Sequence, residues 1–378
     1  MYASRPMRRL LVSVVVALVF AGAAHAAVPQ PDASAFYVVN ASDGEVLASH
    51  DARVPLPIAS ITKLMTVLVA LKHLDLDEVV TVPRQAAKVG GSRIPLRGGE
   101  QITVHDLLEG ALVQSANDAA DTLAYAAAGG DLPLFISWMN MRAQQLGLHD
   151  THFVRPDGLD APGHLSSAHD VAVLAETAMR SPVVRTIVRE RSDTIEDGRF
   201  TVHTWNDLLG VFPGLIGVKT GHTDNAGWCE VAAARRQGYT IYAVILGSPT
   251  RAQRDTDLER LLAWGVSQFK TLTLVAPKPY AQVSLPYGRP AVQLVASKPL
   301  VRVVRVGRPV VERVIAPAAV ALPVNRGEPL GRIEVWDAGK LLGTRPLLAA
   351  RSVARPGLAG RLRWYATRTV HRLWGFLP

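Results

Sequence analysis

Three short strings of polar residues have the composition needed for acyl transfer through a serine ester. In chain order they are Ser60-Ile-Thr-Lys63, Ser115-Ala-Asn117 and Lys219-Thr220-Gly221. The first string offers a nucleophilic hydroxyl with an amine as its base, and the second offers a hydroxyl that can relay a proton. The third offers a cation and a hydroxyl that can bind a carboxylate. Because a lysine can serve as the base, this set predicts acyl transfer without a histidine–aspartate pair.

The setting of Ser60 distinguishes it from a chance match. Ser267 and Lys270 have the same spacing, but only Ser60 follows two closely spaced prolines and precedes an apolar run, 64–71. This pattern predicts a helix over about 60–74 with Ser60 at its start, where free N–H groups and the helix dipole favour an alkoxide. Lys63 then lies one turn later on the same face.

The same helix is apolar on nearly every side, which predicts that it is buried in the centre of a domain. Burial disfavours a charged amine, so we expect a lowered pKa for Lys63 and a neutral amine that accepts the serine proton. The alternative for this string is an N-cap serine followed by a lysine whose side chain reaches solvent.

The second string is predicted to lie at a corner between two helices. Ser115 and Asn117 follow an apolar helical stretch, 107–113. The hydroxyl can pass a proton to a leaving amine, and the amide can bind a peptide group because it carries both a donor and an acceptor. Considered alone, the string is also consistent with an ordinary helix cap.

The third string is predicted to lie on a strand edge. Lys219, Thr220 and Gly221 precede a strand-like run, 227–233. Such an edge can pair with an extended peptide and bind an anion at its end, while the glycine permits close backbone approach. The alternative is a charged edge strand with a turn glycine.

With these strings the sequence resembles the low-molecular-mass penicillin-binding proteins, which are serine-type D-alanyl-D-alanine carboxypeptidases. The resemblance covers roughly residues 30–270, and Ala116 is its one departure, where glycine or aspartate is commoner. We expect the alanine to be tolerated because the flanking side chains do the chemistry. The other matching segments are Ala35 to Val39, Asp43-Gly44, Gln114 to Asp118, Asp157 to Asp160, Ser166 to Asp170, Asn206 to Leu209 and Val218 to Gly227.

The resemblance implies a role for each motif residue. Ser60 would attack the carbonyl between two D-alanines of a peptidoglycan stem peptide, with Lys63 as general base and Ser115 as proton relay to the leaving D-alanine. β-Lactams would acylate the same serine as covalent inhibitors. The substrate-binding residues that the resemblance implies are Asn117, Lys219, Thr220, Gly221 and His222.

Within that set, the resemblance assigns the terminal carboxylate and the oxyanion to different groups. Lys219 and Thr220 would hold the carboxylate. The backbone N–H groups of Ser60 and His222 would form the oxyanion hole, in which one donor contributes about 3 kcal/mol.

The order of predicted elements indicates an α/β domain followed by a smaller β domain. Antiparallel strands flanked by helices predict a mixed sheet with helices on both faces, plus an all-helical lobe. We expect the site to lie between the sheet and the lobe. This is the penicillin-binding transpeptidase-like fold that the resemblance implies. The prolines and β-branched residues of 271–347 predict antiparallel strands. The elements predicted before them are a hairpin at 35–48, strands at 215–218, 227–234 and 240–246, and a helix at 255–269.

The two ends of the chain predict where it acts. Three arginines precede a short apolar stretch, 10–21, and the small-residue site at 24–26, which predicts a secretory signal peptide over 1–26. An uncleaved anchor is the alternative. We therefore expect an exported, periplasmic protein. The predicted divisions are 1–26 signal peptide, 27–270 catalytic domain, 271–347 β domain and 348–378 C-terminal helix.

The C-terminal segment, 348–378, has apolar and aromatic residues at helical spacing with arginines between them. This pattern predicts an amphipathic helix on an anionic membrane surface, attached to the outer face of the inner membrane. A helix that docks on the protein's own body is the alternative. The net charge of +9 does not predict nucleic-acid binding, because 27–270 holds 21 basic and 28 acidic residues and the excess lies toward the C-terminus.

The cysteine and the histidines give no sign of a cofactor. Cys229 is the single cysteine, so no internal disulfide can form, and its apolar strand predicts a core position. The histidines lack the His-Glu-x-x-His spacing, which disfavours a zinc peptidase. We expect no metal and no other cofactor.

Rival functions share part of this pattern. A serine β-lactamase needs a carboxylate for the deacylating water, and no Glu-x-x-x-Asn segment precedes Lys219. A penicillin-binding endopeptidase that cuts cross-links generally lacks the β domain and the C-terminal helix. A non-catalytic wall-binding scaffold is the alternative that is not an enzyme.

Overall fold

The computed structural model describes residues 11–18, 27–196, 198–236 and 238–374, which form two compact units. One unit is Ala26–Ser267, and the other runs from Gln268 onwards and includes an N-terminal strand. The helices are α1 (Lys63–Ala70), α2 (Val104–Leu112), α3 (Asn117–Ala127), α4 (Leu132–Gln145), α5 (Ala168–Ala178), α6 (Pro182–Ile187), α7 (Arg251–Ser267) and α8 (Leu358–Trp374). The strands are β1 (Leu11–Leu18), β2 (Ala35–Asn40), β3 (Glu45–His50), β4 (Val79–Thr81), β5 (Gln101–Thr103), β6 (Ser192–Ile195), β7 (Phe200–His203), β8 (Leu215–Thr223), β9 (Gly227–Arg236), β10 (Tyr239–Ser248), β11 (Phe269–Val275), β12 (Pro279–Val283), β13 (Val292–Ala296), β14 (Leu300–Arg305), β15 (Val310–Pro317), β16 (Pro329–Asp337) and β17 (Lys340–Ala349).

The first unit is built on a five-stranded antiparallel sheet with the order β3-β2-β10-β9-β8. Successive side chains of a strand point to opposite faces. On β2, the ring of Tyr37 lies 5.3 Å from the ring of His169 in α5. On its neighbour Val38, Cγ1 lies 3.3 Å from the position that a Cβ would occupy at Gly265 in α7. Helices therefore cover both faces, and the predicted fold class is confirmed.

Helix α1 lies in the centre of this unit, where it packs against α2, α3, α4 and α5. Leu64, Met65 and Val67 are fully buried, as its apolar composition predicts. The predicted helix at 60–74 was wrong in extent, because a 3-10 turn, Ala59–Thr62, precedes α1. That turn contains Ser60, and it forms because Ala59 has a φ of +49°, which an α-helix cannot continue.

The second unit contains a six-stranded antiparallel sheet with the order β1-β15-β16-β17-β13-β12, and a separate β11–β14 pair. Its core is aliphatic, as the β-branched composition predicts; Val292, Leu294 and Ile333 are fully buried. Strand β1 comes from the apolar stretch of the predicted signal peptide and pairs with β15 at the sheet edge. The predicted cleavage site at 24–26 lies outside the described residues.

Helix α8 begins at Leu358, within the predicted C-terminal segment. The Trp364 ring lies edge-on to Tyr287 at 5.5 Å, so the first part of the helix contacts its own unit. Among the described residues, no helix combines the length and the apolar character that a membrane span requires.

Candidate active site

Ser60 and Lys63 lie where the 3-10 turn joins α1. Nζ of Lys63 lies 2.8 Å from Oγ of Ser60, 2.6 Å from Oδ1 of Asn117 and 2.6 Å from the carbonyl oxygen of Asp157. Lys63 is fully buried. Burial lowers its pKa to about 8, although the negative charges of Asp157 and Asp121 partly oppose that shift. An amine with this pKa is available in its neutral form near physiological pH.

Asn117 is the first residue of α3, and its amide is held at both ends. Oδ1 accepts the hydrogen bond from Lys63, and Nδ2 donates to the carbonyl oxygen of Gly90 at 2.7 Å. Because an amide nitrogen carries two N–H donors, one remains for a substrate. Asn117 thus fixes the position of the lysine in addition to lining the cavity described below.

Ser115 has a φ of +62°, a left-handed backbone conformation that is uncommon for a residue other than glycine. The preceding residue, Gln114, is held firmly. Its carbonyl oxygen accepts from Oγ of Ser92 at 2.9 Å and from Nε1 of Trp205 at 3.0 Å. Its Oε1 accepts from the backbone N–H of His203 at 2.9 Å. These bonds stabilise the turn that carries the Ser115 hydroxyl.

Lys219 lies on β8, which is an edge strand of the five-stranded sheet, as predicted. Its Nζ donates to Oγ of Ser115 at 2.8 Å and to the carbonyl oxygen of Thr220 at 3.0 Å. The side chain is buried. Burial lowers its pKa well below the usual range, and repulsion by Lys63 adds to the shift.

Gly221 brings β8 into direct contact with the turn that carries Ser60. A Cβ at this position would lie 2.8 Å from the carbonyl oxygen of Ile58 and 3.1 Å from the backbone nitrogen of Ser60. Only glycine permits this approach. It brings together the two backbone segments, around Ser60 and His222, from which the resemblance predicts an oxyanion hole.

The three strings meet at one cavity of about 290 Å³. Ser60, Ser115 and Asn117 line it on one side. Thr220, Gly221 and His222 line it from β8, and the His222 ring stacks on Trp228 at 4.0 Å. Lys63 and Lys219 lie behind the lining, each bonded to one of its serine hydroxyls.

The sequence analysis missed several residues that line the cavity, and Arg254 is the charged residue among them. Arg254 is 1% exposed, and its Nε lies 3.1 Å from Oε2 of Glu230. Glu230 is fully buried, which raises its pKa to about 8. An arginine at helical spacing with Leu258 and Leu261, both buried in α7, was the signal that could have identified this position. Trp205, Trp228 and Leu159 also line the cavity and belong to none of the three strings.

The segment that supplies the Asp157 carbonyl matches the family pattern, but the sequence analysis assigned it no role at the site. Arg155 forms a two-bond ion pair with the Asp157 carboxylate at 2.5 and 2.6 Å. Gly158 has a φ of +84°, and a Cβ there would lie 2.1 Å from the carbonyl oxygen of Ala59. This contact holds the segment against the turn that carries Ser60.

Cys229 lies in the core of the sheet, as predicted. Its Sγ contacts the carbonyl oxygen of Ala226 at 3.4 Å, and burial raises its pKa to about 12. A thiol in this state is a poor nucleophile.

Comparison with known proteins identifies the family. A family model described as D-alanyl-D-alanine carboxypeptidase matches residues 22–250, well over half of the chain. The chain belongs to the D-alanyl-D-alanine carboxypeptidase family. A second model, described as the C-terminal domain of penicillin-binding protein 5, matches residues 269–355 of this carboxypeptidase.

Individual relatives agree with the family models over nearly the whole chain. The carboxypeptidase is 33% identical to D-alanyl-D-alanine carboxypeptidase DacD of Salmonella typhimurium, over 89% of this chain and 91% of the relative. It is 30% identical to DacA of Escherichia coli K12, over 99% of both chains. The solved structure of penicillin-binding protein 5 from Haemophilus influenzae matches with a TM-score of 0.64 and 27% identity, covering 87% of this chain and all of that one. The protein is therefore a serine-type D-Ala-D-Ala carboxypeptidase, as the resemblance of its sequence implies.

Proposed function

We propose that Ser60 is the nucleophile with which this carboxypeptidase removes the terminal D-alanine of peptidoglycan stem pentapeptides, and that β-lactams acylate the same residue. The observation that carries this proposal is a pair of amine–hydroxyl contacts across one cavity. Lys63 bonds Ser60 and Lys219 bonds Ser115, each at 2.8 Å.

Lys63 is suited to be the general base because its three hydrogen-bond partners differ in kind. Two of them are carbonyl oxygens, of Asn117 and Asp157, which can only accept hydrogen bonds. A neutral amine has two N–H groups and one lone pair. When both N–H groups bond to the carbonyls, the lone pair faces the Ser60 hydroxyl and can take its proton.

The reaction that we propose proceeds in two steps. Ser60 Oγ bonds to the carbonyl carbon of the penultimate D-alanine while its proton passes to Lys63. The C–N bond then breaks, and the amine of the leaving D-alanine receives a proton through Ser115. Water next hydrolyses the ester, which restores the serine hydroxyl.

The substrate carboxylate finds positive charge on one side of the cavity. Lys219 precedes Thr220 on β8, and its Nζ donates to the Thr220 carbonyl oxygen. The Thr220 hydroxyl group can donate to the anion, and Arg254 lines the same cavity. A bound carboxylate favours the charged form of Lys219, which offsets the effect of burial. We therefore assign carboxylate binding to Lys219, Thr220 and Arg254, the last of which the motifs did not indicate.

The family is typically exported to the periplasm. We propose that residues 1–26 direct export of this chain and that α8 binds the anionic outer face of the inner membrane. Leu358, Leu362 and Tyr365 are 72%, 69% and 56% exposed, and arginines lie between them. Exposed apolar residues on a basic helix support binding at a membrane surface.

Covalent labelling with a fluorescent penicillin tests the nucleophile. We expect Ser60→Ala to lose the label and Ser267→Ala, the matched control at the second Ser-x-x-Lys spacing, to keep it. Label on Ser60→Ala equal to that of the parent would refute the assignment. Mass analysis of a muramyl pentapeptide after incubation should show loss of one alanine, whereas cleavage of a cross-linked dimer would indicate endopeptidase activity.

A further inference from the structure

A cluster of three carboxylates lies apart from the residues that line the active-site cavity. It joins α2, through Glu109, to Glu190 in the segment before β6 and to Asp193 in β6. One carboxylate oxygen from each residue lies within 4.8 Å of the other two. Three negative groups this close repel one another unless a cation or protons neutralise them.

Glu109 has no arginine or lysine as an ion-pair partner among the described residues. It is 2% exposed, and its Oε2 has no hydrogen-bond partner among the described residues. Its one ion-pair contact in that part of the chain is a distant one, with Nε2 of the half-exposed His105 at 3.9 Å. Burial is the main cause that raises the pKa of Glu109 to about 8, and the charges of Glu190 and Asp193 contribute to the same rise.

A buried carboxylate with an unbonded oxygen is costly, so at neutral pH it takes up either a proton or a cation. Glu190 and Asp193 hydrogen-bond to each other, which requires a proton between them that a cation can replace. Neither forms an ion pair with an arginine or lysine in the described part of the chain, and both are only partly exposed. The cluster therefore offers three oxygen ligands, an unbonded buried acceptor and an opening to solvent.

We propose that Glu109, Glu190 and Asp193 bind a divalent cation, and that the cation is Ca²⁺. Carboxylate oxygens are the ligands that hard cations prefer. Ca²⁺ holds its ligands at about 2.4 Å, so oxygens on opposite sides of the ion lie about 4.8 Å apart, and the three carboxylates can contact one ion together. Water completes the coordination on the exposed side.

The position of the cluster gives the cation a structural role near the active site. Helix α2 leads directly into Gln114, and strand β6 pairs with β7, whose His203 N–H bonds Oε1 of Gln114. Trp205, two residues beyond β7, bonds the Gln114 carbonyl and lines the cavity. A cation bound between α2 and β6 thus links the helix that precedes Gln114 to the strand pair that bonds its side chain.

Thermal unfolding of the full-length enzyme tests the site. After treatment with EGTA, the protein is titrated with CaCl2, MgCl2 or ZnCl2, and binding is followed in parallel by calorimetry. We expect Ca²⁺ at 100 times its Kd to raise the Tm by about 5 to 10 °C. Mg²⁺ should need a much higher concentration, because it loses its waters reluctantly.

Three variants separate a cation site from a general salt effect. Glu109→Gln and Asp193→Asn should abolish both the shift and the binding heat, whereas Glu259→Gln, an exposed carboxylate on α7, should leave them unchanged. Without Ca²⁺, Glu109→Gln should be about as stable as the parent, because the raised pKa already keeps Glu109 largely neutral at pH 7 and the amide has nearly the same shape. This result shows that the loss of binding is not a loss of folding.

Three results would overturn the proposal. They are the absence of any Ca²⁺-dependent heat or shift, a shift that persists in both cluster variants, and a response to Zn²⁺ alone. The readout does not depend on catalysis, so it is independent of the roles assigned to Ser60 and Lys63. A further arm measures penicillin acylation with and without Ca²⁺, and we expect the rate to increase when the cation is bound.

Discussion

Nζ of Lys219 donates a hydrogen bond to Oγ of Ser115 at 2.8 Å, the same separation that joins Lys63 to Ser60. Both lysines are buried, and burial lowers the pKa of both. Ser60 and Ser115 are thus each paired with an amine that exchanges protons more readily than an exposed lysine. This arrangement lets a proton leave one serine and return to a leaving group through the other.

The pH dependence of acylation should follow the neutral form of Lys63. Because the pKa of Lys63 is about 8, the acylation rate should rise roughly tenfold per pH unit below that value and level off above it. Asp121 raises this pKa through its negative charge. Asp121→Asn should therefore move the rising limb to lower pH.

Stopped-flow measurement of penicillin acylation between pH 5.5 and 9.5 provides the test. Asp43→Asn, at an exposed position, is the matched control and should not move the limb. A rate that does not change between pH 6 and 8 would contradict the assignment of Lys63 as the base.

Ser115 and Lys219 should act as a unit. Ser115→Ala and Lys219→Gln should each lower acylation by roughly 100-fold or more, because each removes one side of the same hydrogen bond. The double variant should then lose little more than the worse single variant. Strictly additive losses, measured as acylation rates by mass spectrometry, would show that the two residues act independently.

Gly221→Ala should abolish acylation while the protein remains folded. The added Cβ meets the carbonyl oxygen of Ile58 and the backbone nitrogen of Ser60, so the turn that carries the nucleophile must shift. The control is Gly357→Ala, where no atom lies within 4 Å of the new Cβ. Circular dichroism and penicillin labelling provide the measurement, and normal labelling of the Gly221 variant would count against a tight fit at this position.

Removal of residues 357–378 should release the protein from anionic vesicles. The cut spares Val353, whose backbone pairs with Val324 in the second unit, so this unit should stay folded. Leu362→Glu should weaken binding without truncation, because it places a charge on the exposed apolar face. Cosedimentation with vesicles of anionic or neutral lipid gives the result, and equal sedimentation of the truncated and full chains would exclude α8 as the anchor.

Sequence patterns identified most of the residues that meet at the candidate site, because the chemistry that they predict depends on residue types at short spacing. The apolar run after Ser60 predicted a buried α1, and the composition around Lys219 predicted the edge position of β8. The 3-10 turn at Ser60 could not be predicted, since it depends on the positive φ of Ala59 and on contact with Gly221. Both are properties of the folded neighbourhood.

Arg254 and the carboxylate cluster show a second reason why prediction stops short. Arg254 lies in a helix that carries no motif, and the fold alone brings it to the cavity. Glu109 and Glu190 are far apart in sequence, so no local period connects them. A contact between residues that are distant in sequence produces no pattern in the spacing of neighbouring residues.

The left-handed backbone at Ser115 makes this enzyme sensitive to substitutions at positions outside the three strings. The conformation is maintained by Ser92, Trp205 and His203 through their bonds to Gln114. Loss of any of these bonds lets the strained backbone relax and displaces the Ser115 hydroxyl. Drug tolerance can therefore arise from substitutions outside the three strings, at the cost of slower cell-wall trimming.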